Sequence, residues 1–536
     1  MSGMVKVFVA GLAAIGVTCS ASFAVAQVNV AAPQSAIKVD PAGMARLGTV
    51  DERFQSYNIE MVEVTGGRFW KPYASQDKAK LDAPKTEGGN QPAGMDPGLY
   101  EYRAPIDLSN ARLRKLAAAL GPAYLRVSGT WANTTYFDPA GEGAKEAPPE
   151  GFKGVLTGKE WKGVVDFAGA AGAEIVTSFA TSAGTRDAAG VWTPKEAEKL
   201  LSFTKSAGGH IVAAEFMNEP TFAEIGGAPK GYDAAAFARD IAVFRAFAAK
   251  DAPGMLVLGP GGVGEGSQLV PAQMHLLATT ELMKATGAVF DVFSYHSYGG
   301  VSSRCGGMGS TGTTSLGAAL ATEWLGRGDQ IEQFYSAIRD HYEPGKPIWN
   351  TETGQTACGG DRWASTFADS FRYLDQLGDL AKRGVQVQMH NTLAASDYGL
   401  LDEKTYTPRP NYWVALLWRR LMGTTVLNAS SSSLPTLRLY AHCLRNHHGG
   451  VALLAINLDR VGSQSLDLPV EAESYTLTAK DLTDGKVLLN GRELALGDSD
   501  ALPALTGVAK KSGGISLPPE SITFLAFSGA NNASCR

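Results

Sequence analysis

Cysteine is scarce in this chain. Five occur in 536 residues, none forms a C-x-x-C pair, and the eight histidines include no H-E-x-x-H motif. These gaps remove the usual signatures of a zinc site. His447-His448 lies in a polar, Asn- and Gly-rich turn that suits solvated side chains. Neither a metal nor a cofactor is expected. Charge is modest as well, at 19% of residues with a formal net charge of -5. There is no basic stripe of the kind that tracks a phosphate backbone, so no nucleic-acid partner is expected. The apolar run Val7–Thr18 is too short to span a bilayer comfortably, which argues against a stable membrane anchor. No internal repeat is visible, and oligomeric state leaves no mark in the sequence.

The first 26 residues have the layout of a secretory signal, with Lys6 before the apolar run and Ala24-Val25-Ala26 as the cleavage pattern. Cleavage there begins the mature chain at Gln27, takes the formal net charge to -6 and implies a secreted or periplasmic location. Four cysteines then remain: Cys305, Cys358, Cys443 and Cys535. An even number in an exported chain favours disulfides, and spacing alone leaves three pairings open.

The length exceeds one ordinary core and leaves room for a large barrel plus a smaller domain. From about residue 55, short apolar runs alternate with helical patterns, the rhythm of βα units around a parallel sheet. The runs are Tyr57–Val64, Ala123–Val127, Glu174–Ala180, Val212–Met217, Met255–Gly259, Val289–Tyr295, Pro347–Asn350 and Val385–His390. Amphipathic patterns such as Asp233–Lys250 and Thr366–Arg383 lie between them. The expected fold is α/β, a (β/α)8 TIM barrel over 53–423, with its site at the carboxyl ends of the strands. Beyond residue 424, alternating segments at Leu437–His442, Val451–Asn457, Ser474–Ala479 and Ile522–Phe527 predict an antiparallel β-sandwich domain over 424–536. Residues 74–98 lack periodicity and form a long loop after the first strand, either a lid at the site or a surface excursion.

Two of the predicted strands end in carboxyl groups. Ala214-Glu215-Phe216-Met217-Asn218-Glu219-Pro220 closes the fourth, and Pro220 prevents simple continuation of the ladder. Ile348-Trp349-Asn350-Thr351-Glu352-Thr353-Gly354 closes the seventh. An isolated loop glutamate is ordinarily just solvated. A pair on strands four and seven of one barrel suits glycoside hydrolysis through a covalent intermediate, which needs two carboxyls about 5 Å apart. Glu219 is expected as acid/base, its pKa raised by burial and by Glu352, and Glu352 as the ionised nucleophile. Asn218 is placed to hydrogen-bond a sugar hydroxyl. The sixth strand ends Phe293-Ser294-Tyr295-His296-Ser297-Tyr298, where Tyr298 and His296 either orient the nucleophile or form an aromatic packing cluster.

Taken in order, these segments resemble glycoside hydrolase family 79, the heparanase and β-glucuronidase family. Ser56–Glu63 looks like its first strand, and Pro122-Ala123-Tyr124-Leu125-Arg126-Val127-Ser128-Gly129-Thr130 like its second. Asn218-Glu219-Pro220 and Glu352-Thr353 match its acid/base and nucleophile segments. Ser396-Asp397-Tyr398-Gly399-Leu400-Leu401-Asp402-Glu403, Pro410-Asn411-Tyr412-Trp413 and Leu437-Arg438-Leu439-Tyr440-Ala441-His442-Cys443 continue the pattern. The resemblance implies retaining cleavage of β-linked glucuronic acid in an oligosaccharide or polysaccharide. It also implies a strand from within 27–52, near Gln27–Val39, added to the β-domain, and a Cys443–Cys535 disulfide that leaves Cys305–Cys358 as the other pair. The glucuronate carboxylate is expected at Tyr398 and the backbone N–H groups about Ser396 and Asp397. Glu60 and Thr130 are expected at the sugar pocket.

Two departures stand out. Val127-Ser128-Gly129 replaces an aromatic-Gly-Gly sequence, and Asp397 stands where heparanases have Asn, with Arg304 or Arg362 as candidates to offset its charge. With no basic cluster beside the strand ends, an exo-acting β-glucuronidase is expected over an endo-acting, heparanase-like enzyme on glycosaminoglycans. A related retaining β-glycosidase on a neutral sugar and a non-catalytic glycan-binding protein are the alternatives.

Overall fold

The computed structural model describes residues 36–76, 96–141, 147–266, 276–308, 313–429 and 434–536. The expected signal segment, residues 27–35 of the expected N-terminal strand and residues 77–95 of the long loop lie outside the described residues.

Eight parallel strands close into a barrel in chain order: β1 (Gln55–Glu60), β2 (Ala123–Ser128), β3 (Ala173–Ser178), β4 (Ile211–Glu215), β5 (Leu256–Gly262), β6 (Val292–Tyr298), β7 (Ile348–Gly354) and β8 (Val387–His390). Each expected strand has a counterpart, with shifted ends. The first stops at Glu60, short of the expected Val64, because Glu60 and Glu63 cap one another and start the short helix Met61–Thr65. The fourth stops at Glu215, and Glu219 takes a left-handed backbone with φ 50°. The seventh runs on through Gly354, so Glu352 lies within it.

Alternation along the strands builds the barrel interior in layers. Tyr124, Val176, Ala213, Leu258, Val292, Trp349, Val387 and Met389 form one buried apolar cluster. Two residues further along their strands stand Arg126, Glu215, Ser294 and Thr351, which are also buried. The apolar cluster therefore carries a polar layer, and the carboxyl ends of the strands lie beyond it. At the mouth, the ladder between β6 and β7 slips by one residue. Tyr295 pairs with Asn350, but His296 pairs with Glu352. The extra residue, Thr351, lets neighbouring side chains of β7 both reach inward, the usual effect of a bulge beside a site.

After the barrel come two sheets. The larger, nine-stranded sheet includes Met422–Leu427, Leu437–Leu444, Val451–Asn457, Ser521–Phe527 and Ala472–Thr478 as neighbours. The smaller has three strands, Ile37–Lys38, Gln464–Leu468 and Gly513–Leu517. Arg46–Thr49 pairs with Met422–Leu427, so residues before the barrel contribute to both sheets. Val451–Asn457 is buried along its whole length because it is covered on both faces. Val451, Leu453 and Ala455 pack in a cluster with Leu466, Leu468 and Leu517 of the small sheet. Ala452, Leu454 and Ile456 join the main core with helices Phe367–Lys382 and Pro410–Leu421.

That cover explains why helix Phe367–Lys382, expected to be amphipathic, has buried polar residues too. Arg372 pairs with Asp369, Gln376 bonds Thr353 at 3.1 Å, and Asp375 accepts from the Tyr440 hydroxyl at 2.7 Å. The disulfides are Cys305–Cys358, across the loops after β6 and β7, and Cys443–Cys535, which ties strand Leu437–Leu444 to the C-terminal residues. Among the described residues no helix is long and apolar enough to cross a membrane.

Tyr440 lies flat on Gly378, where an added Cβ would stand 2.3 Å from a ring carbon. Gly378→Ala is therefore expected to destabilise the fold, the clash of about 1–3 kcal/mol outweighing a helix-propensity gain of about 1 kcal/mol. The check is the urea midpoint; a midpoint that rises would show that this contact yields freely.

Candidate active site

The polar layer is organised by Arg126, which is fully buried on β2. Its Nε and Nη2 donate to Glu215 Oε2 at 3.0 and 2.7 Å. Nη1 donates to Glu352 Oε2 at 2.8 Å, and Nη2 also reaches Asn218 Oδ1 at 2.8 Å. Burial alone would raise the Glu215 pKa, but Arg126 and His296 hold it well below the usual carboxylate range. Glu352 accepts a second bond from the Tyr298 hydroxyl at 2.7 Å. Burial and Glu352 push the Tyr298 phenol well above its ordinary pKa, so it remains a donor. Both donors to Glu352 favour its anionic form.

Glu219 lies just past the end of β4 with its side chain 18% exposed, against 7% for Glu352. Burial and the charge of Glu352 raise its pKa, while His296 opposes the rise. Carboxylate oxygens of Glu219 and Glu352 approach within 4.8 Å of each other. Because the strand has ended, alternation no longer separates Asn218 from Glu219, and both turn to the site. Asn133 fixes this turn by bonding the Asn218 backbone N–H and carbonyl, each at 2.9 Å.

His296 joins the two halves. Its Nδ1 is 3.0 Å from Glu219 Oε1. Nε2 faces Arg126 Nη2 at 3.2 Å, which suits a neutral ring, and Glu215 Oε1 at 3.8 Å, which suits a charged one. Burial opposes the charge, but Glu352, Glu215 and Glu219 outweigh it and lift the pKa to about 9. Glu219, His296 and Glu352 form the one three-residue set among the described residues that could hold a metal ion. Arg126 already donates to Glu352 there, and its fixed positive charge opposes a second cation.

On the other side of Glu352, Asn391 Nδ2 contacts Glu60 Oε1 at 2.9 Å, the Tyr298 hydroxyl at 3.1 Å and the Tyr398 hydroxyl at 3.3 Å. Glu60 is buried against Gly129, whose φ is 90° and where a Cβ would fall 1.4 Å from Glu60 Oε2. Only glycine fits there. Burial and Glu352 raise the Glu60 pKa well above the ordinary value. Glu60 Oε2, Asn218 Nδ2 and Asn391 Oδ1 are buried without a hydrogen-bond partner. Thr130 is half-buried at the turn after β2.

The strand-eight loop departs from expectation. Ser396 N–H donates to Glu403 at 3.2 Å and Asp397 N–H to the Gly359 carbonyl at 3.0 Å, so both donors are already engaged within the protein. Asp397 itself is tied to Arg304 and accepts from Tyr73 N–H at 3.1 Å. Arg304 therefore offsets its charge. Both guanidinium groups flank the Tyr73 ring, at 4.3 and 4.4 Å.

Arg126, Glu215, Asn133 and Asn391 were not singled out as site residues from the sequence. The available signal was a full charge inside an apolar strand, at Leu125-Arg126-Val127 and at Ala213-Ala214-Glu215-Phe216. Such charges are buried only when paired. Nothing local marks Asn133 or Asn391.

A family model described as "Glycosyl hydrolase family 79, N-terminal domain" matches residues 104–378. Heparanase-like protein 1 of Arabidopsis thaliana is 26% identical over 499 residues, covering 82% of this chain and 88% of that one. Baicalin-beta-D-glucuronidase of Scutellaria baicalensis is 31% identical over 285 residues, covering 47% of this chain and 51% of that one. The fold is shared with a 4-O-alpha-L-rhamnosyl-beta-D-glucuronidase from Fusarium oxysporum 12S, with a TM-score of 0.61 at 13% identity over 91% of this chain and 100% of that one.

The raised pKa of His296 has a defined sign for stability. The contribution is complete below about 6.5, its ordinary value, and is lost as pH rises through about 9. Wild type should therefore lose more Tm than His296→Asn between these two pH values. Parallel losses in the two proteins would remove His296 as the source.

Proposed function

The chain belongs to glycosyl hydrolase family 79, and from that membership we propose that it is a retaining β-glucuronidase acting from chain ends. As a family member it is a glycoside hydrolase. The observation that carries the mechanism is the approach of Glu219 and Glu352 oxygens within 4.8 Å. That suits retention, for which the carboxyls stand about 5–5.5 Å apart.

In this reading Glu352 attacks the anomeric carbon while Glu219 gives its proton to the departing glycosidic oxygen. The sugar is then esterified to Glu352. Glu219, now ionised, takes a proton from water as the water oxygen attacks the same carbon, and Glu352 leaves as the carboxylate. The assignment of roles is supported by the environments. Glu219 holds its proton more tightly than an ordinary carboxyl, whereas Glu352 is fixed by two donors that favour its charge.

Glucuronic acid as the sugar is supported by the relatives, among them one named as a β-D-glucuronidase. Asn218 Nδ2, Asn391 Oδ1 and Glu60 Oε2 are the atoms we assign to sugar hydroxyls. Tyr398, kept protonated by burial and by Glu60, is the donor we assign to the glucuronate carboxylate. The Arg304–Asp397 pair removes a negative charge that would otherwise repel that carboxylate. Exo action is supported by the acidic chain and by a sequence with no basic cluster flanking the predicted strand ends, where sulfated polymers would be held. The heparanase-like relative, matched over 82% of this chain, favours endo action as the second reading.

Two measurements test the proposal. Glu352→Gln should lose turnover on every substrate, whereas Glu219→Ala should lose about 10²–10⁴-fold on poor leaving groups and far less on activated aryl ones. Equal losses on both substrate types would reject the assignment of Glu219. Wild type should hydrolyse nitrophenyl β-glucuronide over the matched glucoside and release monosaccharide from glucuronide-capped oligosaccharides. Internal fragments as the first products would replace the exo reading with the endo one.

A further inference from the structure

Glu215 lies outside the proposed chemistry. It is 1% exposed, and its oxygens accept from Arg126, from Ser294 Oγ at 2.9 Å and from Thr351 Oγ1 at 2.7 Å. Those partners sit on the strands that bear the site. Ser294 precedes His296 by two residues on β6, and Thr351 immediately precedes Glu352 on β7.

We propose that Glu215 is a positioning residue that shares the Arg126 guanidinium with Glu352 and so keeps Glu352 reactive. The inference rests on the retaining reading. When Glu352 attacks, its negative charge disappears into an ester. Any group that stabilises the anion more than the ester therefore raises the barrier. A guanidinium free to turn would clasp both Glu352 oxygens in a bidentate pair. Here the Nε/Nη2 edge is held by Glu215, and a single Nη1 bond of 2.8 Å is left for Glu352. The charges of Arg126 and Glu215 also oppose one another at close range, so the guanidinium attracts the Glu352 carboxylate less strongly than a lone cation would. Both side chains are buried, so bulk solvent screens the pair little.

The groups that face this pair are His296 on β6, Glu352 on β7, Glu219 after β4 and Glu60 at the end of β1. Replacing Glu215 by a neutral isostere removes one negative charge from beside all of them and leaves Arg126 paired with Glu352 without the second carboxylate. Proton release from the site should therefore move to lower pH as a whole.

The test is kcat/KM against pH on an aryl β-glucuronide for wild type, Glu215→Gln and Glu215→Asp. In Glu215→Gln both limbs of the profile should move to lower pH by about one unit or more. Its kcat should drop with KM little changed. Glu215→Asp keeps the charge but shortens the reach, so its limbs should stay in place while kcat falls by about a hundredfold. Unmoved limbs in a folded Gln variant would reduce Glu215 to a structural part and overturn the proposal. Should the Gln variant fail to fold, an Asp variant with wild-type kcat would overturn it equally. Wild type without turnover on the glucuronide counts against the glucuronidase reading instead. The same profiles are then taken on the aryl glycoside that it does hydrolyse.

Discussion

A guanidinium with no access to solvent, set between two carboxylates, is the interaction on which the barrel mouth depends. Arg126 cannot stay charged inside the cylinder without partners, since removing one member of a buried pair costs about 3–5 kcal/mol. Glu215 and Glu352 supply them from different strands. The charge balance then governs the rest of the site. Four carboxyl groups, Glu60, Glu215, Glu219 and Glu352, gather around one permanent cation and one histidine. Arg126 satisfies two of them. The others, Glu60 and Glu219, hold protons more tightly than usual, and His296 becomes easier to charge. A proton donor and a carboxylate can thus coexist less than 5 Å apart.

The scaffold below makes this arrangement rigid. The apolar cluster beginning with Tyr124 and Trp349 fills the cylinder beneath the charged layer, so the layer cannot sink into the core. Ser294, Thr351 and Asn133 then fix the carboxylate and the strand-four turn by short bonds. From outside, the large sheet seals helix Phe367–Lys382 through Tyr440 and Gly378. Gln376 of that helix reaches Thr353, next to Glu352, so the covered helix is connected to the strand that carries the proposed nucleophile.

Around the rim, the loops after β1, β6, β7 and β8 are fastened at one place. Arg304 joins Lys71, Gly360 and Asp397, and the Cys305–Cys358 disulfide lies beside it. An aspartate at position 397 is therefore an internal partner of the rim, with its charge already matched. This resolves the apparent conflict between an acidic loop and an anionic sugar in the proposed function.

The amino-acid pattern alone determined the eight βα units, the all-β tail and the segments about the carboxyl ends of strands four and seven that carry Glu219 and Glu352, because apolar period is a local property. The order of short motifs likewise carried the family. Local pattern does not report which side chains meet across a barrel. Arg126 and Glu215 are 89 residues apart, and Asn391 and Glu60 are 331 apart. Their pairing exists only once the sheet has closed. The one-residue slip between β6 and β7 that turns Glu352 inward, and the engagement of the Ser396 and Asp397 N–H groups, were likewise settled by tertiary structure. Register and hydrogen-bond partnership depend on the neighbouring strand, which no stretch of sequence contains by itself.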